Sequence, residues 1–282
     1  MRLNQYIAHH TKYSRREADK LIESGRVNIE KSKASLQSVL QEGMSVFIDG
    51  KRIVPREQFT CIVYHKQKGE LVSKSDDRGR KVIYDSLESR FKHFMYVGRL
   101  DFASEGLLIL TDSTPVAKAL MESHLERVYL VKINGEITKE IIEAMEKGLV
   151  SDDARAGGHS KSSIVAMEFA PFAHYEILKN DKKYSKLKVS ITEGKNRELR
   201  RFFGAFGREV LDLRRIAYGF VNLNALPCGK KRYFTKEEYK SLHTFLKEQA
   251  LLGDSKTPKS IPQILKNTLF EIKQREIGIN LT

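Results

Sequence analysis

One carboxylate in this chain stands where a purely structural role is hard to explain. Asp101 lies in the run GRLDFASEGLLILT, residues 98–111, between the apolar pair Tyr96 and Val97 and an apolar run at 106–110 that is typical of a buried strand. Burying a carboxylate is costly unless a cation or a hydrogen bond satisfies it. We therefore expect Asp101 to have Arg99 or a distant arginine beside it, or to line a cleft. An aspartate that only caps a turn through its own backbone is the alternative.

The second candidate region is a basic, arginine-rich segment. Residues 179–232 contain 15 Lys and Arg but 5 Asp and Glu, so they carry +10 of the formal net charge of +14. Guanidinium groups suit phosphates and base edges because they donate two parallel hydrogen bonds. The run KNDKKYSKLK at 179–188 is either part of a binding patch or a set of solvated lysines. The arginines of the segment that could act as such donors are Arg197, Arg200, Arg201, Arg208, Arg214 and Arg215.

Length and charge limit the classes of function. The 282 residues suffice for one large and one small domain, and a net charge of +14 with a pI near 9.6 favours a polyanionic partner. No apolar run approaches the ~18 residues of a spanning helix, and the N-terminus lacks an apolar signal segment. Two cysteines are too few for a disulfide framework. We expect a cytoplasmic protein that does not enter a membrane.

The first sixty residues have the pattern of a separate small α/β module. Ser14 and Glu17 fit a capping box, and a helix with apolar residues at helical spacing follows it until Gly25. Alternating apolar residues then predict short strands, and Asp49-Gly50 predicts a hairpin turn. This order resembles the RNA-binding module named after ribosomal protein S-four. The resemblance implies RNA contacts from basic residues of the module, namely Lys12, Arg15, Arg16, Lys20 and Arg26.

The rest of the chain predicts an α+β domain. Strand-like pieces occur at 61–64, 107–110, 128–133, 164–169 and 187–191, with helical pieces at 115–121 and 139–147. This mixture favours a largely antiparallel mixed sheet with flanking helices rather than a regular βαβ repeat. We predict a module at 1–56, a catalytic domain at 57–248, and a tail at 249–282 that forms a short helix or stays mobile. The phenylalanines at 202, 203 and 206 favour the buried stripe of a further helix over a platform for base stacking.

Two long motifs resemble one family of enzymes. The run at 98–111 and EGKNRELRRFF at 193–203 resemble the pseudouridine synthases of the RsuA/RluB/RluF type, which isomerise single uridines in ribosomal RNA. The resemblance extends over about residues 1–242. Asn196, Arg197 and Glu198 resemble the RluB branch, which acts on large-subunit rRNA, and Ser104 stands where relatives often have Thr. The resemblance implies a cofactor-free isomerase that works on 23S rRNA as a monomer.

The resemblance also implies a role for each of several residues. Asp101 is the essential catalytic residue, Tyr129 lines the base pocket and assists proton removal, and Arg200 pairs with Asp101. Leu199 packs on the target base. The other residues that it assigns to substrate binding at this site are Arg99, Lys195, Asn196, Arg197 and Arg201.

These residue types suit the reaction, and other chemistries have less support. Breaking the N1–C1′ bond of uridine and rejoining the base through C5 needs a carboxylate and an enclosing pocket but no redox step, and an adjacent arginine holds that carboxylate ionised and aimed. HExxH, GxxxxGK[ST] and GxSxG motifs are absent from the sequence, and we expect no metal ligands. The alternatives are a non-catalytic rRNA-binding or ribosome-assembly factor, a synthase acting on small-subunit rRNA or another RNA, and an RNA hydrolase.

Overall fold

The computed structural model of the chain describes residues 2–11, 13–41, 43–54, 59–159 and 162–252. Lys12, the predicted domain boundary between residues 56 and 57, and most of the predicted tail, from 253 onward, lie outside the described residues. The described residues form six α-helices: α1 (Leu3–His10), α2 (Arg15–Glu23), α3 (Thr114–Met121), α4 (Lys139–Lys147), α5 (Glu198–Ala205) and α6 (Lys236–Leu252).

The strands fall into an N-terminal group and a larger C-terminal group. The first four are β1 (Val27–Ile29), β2 (Ser32–Lys33), β3 (Val46–Ile48) and β4 (Lys51–Arg52). The others are β5 (Cys61–Lys66), β6 (Met95–Val97), β7 (Glu105–Thr111), β8 (Arg127–Asn134), β9 (Leu149–Ser151), β10 (Met167–Phe169), β11 (His174–Lys179), β12 (Tyr184–Ile191), β13 (Val210–Tyr218), β14 (Val221–Asn222) and β15 (Lys231–Tyr233).

The N-terminal elements have their own sheet and their own apolar cluster. The predicted capping box is present at α2, where the Ser14 hydroxyl accepts from the Glu17 N–H and the Glu17 carboxylate accepts from the Ser14 N–H at 2.7 Å. Strands β1 to β4 form a sheet of order β2-β1-β3-β4, and the β3–β4 hairpin turns at Asp49-Gly50, both with positive φ. Leu3 and Ile7 of α1 pack in the same cluster as Val27.

The large sheet has the order β11-β12-β8-β13-β7-β5-β15, with β14 beside β13 and β6 beside β7. Its neighbouring strands are antiparallel except for the parallel pair β13 and β7. A mixed, largely antiparallel sheet with flanking helices confirms the predicted α+β class.

Both faces of strand β5 are buried, because each face packs against a different apolar cluster. Ile62 and Tyr64 belong to a cluster that includes residues of α4 and α5, whereas Cys61 and Val63 belong to one that includes residues of α3 and α6. Alternate residues of a strand point to opposite faces, so one strand serves both cores.

The parallel pair brings the strand after α5 against the strand after the Asp101 loop. Arg215 of β13 pairs with Gly106 of β7. Gly106 has φ +113, and a Cβ there would lie 2.2 Å from the Arg215 carbonyl oxygen. Glycine is therefore required for this close approach.

Candidate active site

The Asp101 carboxylate lies beside two arginines. The Asp101 loop connects β6 to β7 and begins at Gly98, whose φ is +68. Asp101 Oδ2 is 3.3 Å from Arg200 Nε and 3.4 Å from Arg197 Nη1, and the carboxylate is 26% exposed. The turn at Asp101 is closed by its main-chain carbonyl, which accepts from the Ser104 N–H at 3.0 Å. The side chain thus faces cations at the edge of a cleft, as the sequence predicted.

Arg200 contacts Asp101 and also links the Asp101 loop to strand β13 through hydrogen bonds. The Nη1 group donates to the Val210 carbonyl at 2.9 Å, and Nη2 donates to the Ser104 hydroxyl at 3.2 Å. Burial lowers the pKa of the Arg200 guanidinium, and the Asp101 charge opposes that effect. Arg200 is thereby fixed from three directions, so it can orient the carboxylate as well as neutralise it.

Helix α5 positions both arginines that contact Asp101. Phe202 and Phe203 are fully buried against the core, as predicted, and each such side chain contributes roughly 1.5–3 kcal/mol of stability. Phe206, the third residue of the predicted stripe, follows the end of the helix and is half-buried. Arg197 caps the helix in a left-handed conformation, φ +52, and its Nε donates to the Gly157 carbonyl at 2.6 Å. Such a conformation costs about 1–3 kcal/mol in a non-glycine residue and is characteristic of functional sites.

A buried lysine supports the Asp101 loop through hydrogen bonds to main-chain carbonyls. The Lys66 ammonium donates to the main-chain carbonyls of Gln67, Asp101 and Ser104 at 2.8, 3.1 and 2.8 Å. Burial lowers the pKa of Lys66 to about 8, and the charges of Glu70 and Asp101 oppose this shift. This contact was not predicted, because Lys66 ends a strand far from Asp101 along the chain.

A cleft of about 270 Å³ opens beside Asp101. Tyr129 of β8 lines it and is only 7% exposed, and Leu199 of α5 lines it as well. This volume is near the lower end of the ~300–1,000 Å³ range of small-molecule pockets, and it suits a single nucleoside. The structure thus brings Asp101 and Tyr129 to one cleft, with Arg200 behind the carboxylate. Three further predicted residues also line the cleft, namely Arg99, Lys195 and Arg197.

Two residues that were predicted to bind substrate, Arg201 and Asn196, do not line the cleft. Arg201 is fully buried, and its guanidinium donates to the main-chain oxygens of Asn196 and Ala154 and to the Ser162 hydroxyl. Arg201 therefore joins α5 to the loop that follows β9 and has a structural role in this arrangement.

The basic residues of the N-terminal module that were predicted to contact RNA differ in exposure and in ion pairing. Arg15, Arg16 and Lys20 are exposed on α2. Arg26 is also exposed, but its guanidinium forms a two-pronged pair with the Asp49 carboxylate at 2.8 and 2.5 Å. Lys12 lies outside the described residues.

Two arginines of the cleft were not assigned to this site from the sequence, although Arg215 was among the candidate donors of the basic segment. Arg127 donates to the Thr192 carbonyl at 2.6 Å, and Arg215 donates to the Leu107 carbonyl at 2.8 Å. Both line the cleft, and both guanidinium groups contact the ring of Tyr218. Arg127 lies two residues before Tyr129 in a strand, so the strand alternation was a signal that could have placed both on one face.

Within the part of the chain that the structure describes, no three His, Cys, Asp or Glu side chains are grouped as metal ligands. The same residues include no helix with the length and apolar character needed to cross a membrane.

Comparison with known proteins agrees with this geometry. The family model for RNA pseudouridylate synthase matches residues 60–205, a range that contains Asp101, Tyr129 and Arg200. A Helicobacter pylori protein described as an uncharacterized RNA pseudouridine synthase is 56% identical over 89% of this chain and 96% of its own length. The Bacillus subtilis ribosomal large subunit pseudouridine synthase B is 31% identical over 86% of this chain and 95% of its own length.

A solved structure shares the fold. A crystal structure of a pseudouridylate synthase aligns with a TM-score of 0.58 at 24% identity and covers 86% of this chain and 99% of its own. The family match extends over more than half of the 282 residues, and the relatives align along nearly their whole length. The chain therefore belongs to the RNA pseudouridylate synthase family.

Proposed function

We propose that this protein converts a uridine to pseudouridine in large-subunit ribosomal RNA, with Asp101 as its catalytic carboxylate. The observation that carries the proposal is the contact of Asp101 with Arg197 and Arg200 at a cleft also lined by Tyr129. The choice of RNA is supported by the relative named ribosomal large subunit pseudouridine synthase B.

The proposed roles follow from what the isomerisation must accomplish. The N1–C1′ bond breaks, a C5–C1′ bond forms, the C5 proton leaves and N1 gains a proton, so atoms balance without a redox partner. Asp101 attacks the sugar or the base, or stabilises the positive charge that develops on the sugar. Arg200 fixes the orientation of this carboxylate. Tyr129 stacks on the base and takes part in removal of the C5 proton.

The cleft holds the base while its bond to the sugar is broken. Leu199 lines the cleft with Ile191 and Leu213, so apolar walls contact the faces of the base and limit its exposure to water. The uridine must leave its stack to enter, which costs a few kcal/mol and favours loops or strained helices in the RNA.

Basic residues supply the affinity for RNA. Arg99, Lys195 and Arg197 at the cleft contact phosphates next to the target nucleotide. Residues 1–56 form a binding arm, with Arg15, Arg16 and Lys20 on the exposed side of α2. The protein works as a cytoplasmic monomer without a cofactor.

Asp101→Asn tests the proposal. It keeps the size of the side chain but removes its charge, so pseudouridine formation is lost while folding and RNA affinity stay near those of the unmodified chain. Melting temperature, RNA affinity and release of the C5 hydrogen from labelled uridine are measured on one preparation. Asp153→Asn, which removes an exposed carboxylate paired with Arg155, is the matched control.

Two results would contradict the proposal. A folded Asp101→Asn variant that releases the C5 hydrogen at the normal rate has no need of this carboxylate. If the unsubstituted protein binds rRNA but forms no pseudouridine in any rRNA, it is a binding or assembly factor instead.

A further inference from the structure

The lysine-rich run at 179–188 forms a hairpin whose role the active site does not explain. Strands β11 and β12 are its two arms, and Lys182 and Lys183 lie in the turn between them. Lys179 of β11 pairs directly with Lys186 of β12, and Lys186 pairs on its other side with Lys132 of β8. Three adjacent strands thus carry one lysine each in a single cross-strand row, Lys132, Lys186 and Lys179, which we call the lysine row.

The lysine row lies on the sheet face opposite the cleft. Tyr129 and Val131 of β8 belong to the core beside the cleft, as do Leu187 and Val189 of β12. Because successive residues of a strand point to opposite faces, Lys132 and Lys186 point away from that core. A register shift between Ile177 and Lys179 interrupts the alternation on β11, and Lys179 lies on the same face as Lys132, since both contact the Tyr184 ring. Its members are exposed or half-buried. The row is therefore a surface distinct from the one that holds the target uridine.

The charges of this surface are poorly balanced. Like charges directly opposite one another on neighbouring strands destabilise a sheet, and the row contains two such pairs. Lys179 has an ion pair with Asp181 at 3.7 Å, but both side chains are more than 40% exposed, so the pair is weak. Glu176 lies opposite Lys188, in the neighbouring row. An anionic partner would relieve this repulsion.

A tyrosine orders two of the lysines. The ammonium groups of Lys132 and Lys179 lie 4.3 and 3.9 Å from the centre of the Tyr184 ring. Lys179 lowers the pKa of the Tyr184 hydroxyl through a hydrogen bond and its charge. Because the ring already restricts both side chains, a ligand that binds them loses less conformational entropy.

Protection of a sheet edge accounts for only part of the pattern. Lysines on the edge strand β11 can prevent pairing with another chain. Lys132, however, is on β8, which pairs with β12 on one side and β13 on the other, so it has no edge to protect. The continuation of the row into the sheet interior favours a binding surface.

We propose that the lysine row binds the phosphodiester backbone of a second segment of the substrate RNA, outside the segment that enters the cleft; this inference rests on the proposed function for its RNA. Three ammonium groups across neighbouring strands match consecutive phosphates in charge, and lysines recognise phosphate without reading sequence. The row therefore strengthens binding of a long, folded RNA that reaches around the β11 edge, whereas a short hairpin that fills only the cleft gains nothing from it.

The test is the triple variant Lys132→Gln, Lys179→Gln and Lys186→Gln in the full chain. Its affinity is measured against a transcript of a large-subunit rRNA domain and against a short RNA hairpin, over a salt series. Affinity for the transcript should fall about tenfold or more, and the slope of log K against log salt should become less negative by about 2 to 3, at ~0.7–0.9 for each phosphate contact. Affinity for the hairpin should not change.

The matched control removes three exposed lysines elsewhere, Lys118→Gln, Lys139→Gln and Lys147→Gln. An equal loss in this control would mean that net charge alone matters, and the proposal would fail. It would also fail if the lysine-row variant kept its affinity for the transcript, or self-associated with that affinity intact, since the lysines would then protect the edge. Loss of binding to anionic lipid vesicles without loss of RNA binding would point to a membrane instead. Each result is independent of whether Asp101 is catalytic.

Discussion

At the scale of single residues, Arg200 should affect turnover more than RNA binding. Arg200→Met removes the charge beside Asp101 and the hydrogen bonds to Val210 and Ser104, so the free energy of unfolding should fall by roughly 3 kcal/mol. The Asp101 carboxylate also loses its orientation, and turnover should fall on the order of 100-fold. Arg200→Lys should be milder, since it keeps the charge but not the planar fork.

Single-turnover rates and RNA affinities of the folded fraction separate these effects. If Arg200→Met turned over normally and only bound RNA more weakly, Arg200 would be a phosphate contact, and its proposed role as partner of the catalytic carboxylate would be wrong.

The charge on Lys66 should make turnover fall at alkaline pH. Its charged ammonium holds the carbonyls of Asp101 and Ser104, and burial lowers its pKa from 10.5 to about 8. As the pH rises through about 8, the amine loses its charge and weakens these bonds, so turnover should decline. Stability should not decline for this reason. The folded chain favours the neutral amine, so the cost of burying the charge is present below about pH 8 and is relieved between there and 10.5.

Rate and melting temperature are therefore measured together across this pH range. We expect the turnover rate to fall with rising pH, while the contribution of Lys66 to stability does not fall. A constant rate from pH 7 to 9.5 would show that the Asp101 loop keeps its shape without the charged ammonium.

At the scale of secondary-structure elements, the junction of β7 and β13 is the most sensitive point. A Cβ on residue 106 would meet the Arg215 main chain at 2.2 Å, and the φ of +113 is unfavourable for any L side chain. Gly106→Ala should lower the free energy of unfolding by roughly 2–4 kcal/mol. Gly194→Ala is the matched control, since its Cβ would lie at an ordinary 3.6 Å from Arg127. Equal melting temperatures of the two variants would contradict this account.

Local patterns predicted many of the elements. The helix predicted at 139–147 is α4, the capping box begins α2, and four of the five predicted strands lie within β5, β7, β8 and β12. These elements have clear alternation or cap residues, which are local signals. The strand predicted at 164–169 is shorter, Met167–Phe169, because the carbonyls of Ile164 and Val165 bond to Arg201 and Ala154 instead.

The sequence did not reveal what depends on long-range pairing. Strand β13 was missed because LDLRRIAY places two arginines inside it, and the burial of Arg215 depends on β7, β8 and the cleft. Helix α6 continues to Leu252, past the predicted domain end at 248. For the site, the motifs located Asp101 and Arg200, but no local pattern shows that Lys66 supports their loop.

At the scale of the whole molecule, the excess of positive charge is divided among distinct surfaces. One lies on α2, a second at the cleft and a third in the lysine row. Each phosphate contact adds a similar, sequence-independent increment to affinity. Of these three surfaces, the cleft is the one that combines a carboxylate with an enclosed pocket, so we expect the cleft to discriminate a uridine. Affinity and selectivity should therefore respond to different substitutions.

The basic surface of α2 should contribute to RNA affinity but not to the stability of the fold. Arg15→Gln, Arg16→Gln and Lys20→Gln together should weaken binding of rRNA and make the salt slope less negative by about 2 to 3, without loss of the fold, because all three side chains are exposed. Deletion of residues 1–56 should have at least the same effect. The remaining strands and helices have their own sheet and clusters, so the shortened chain should still modify a short RNA. Unchanged affinity and salt slope in both variants would show that this module does not bind RNA.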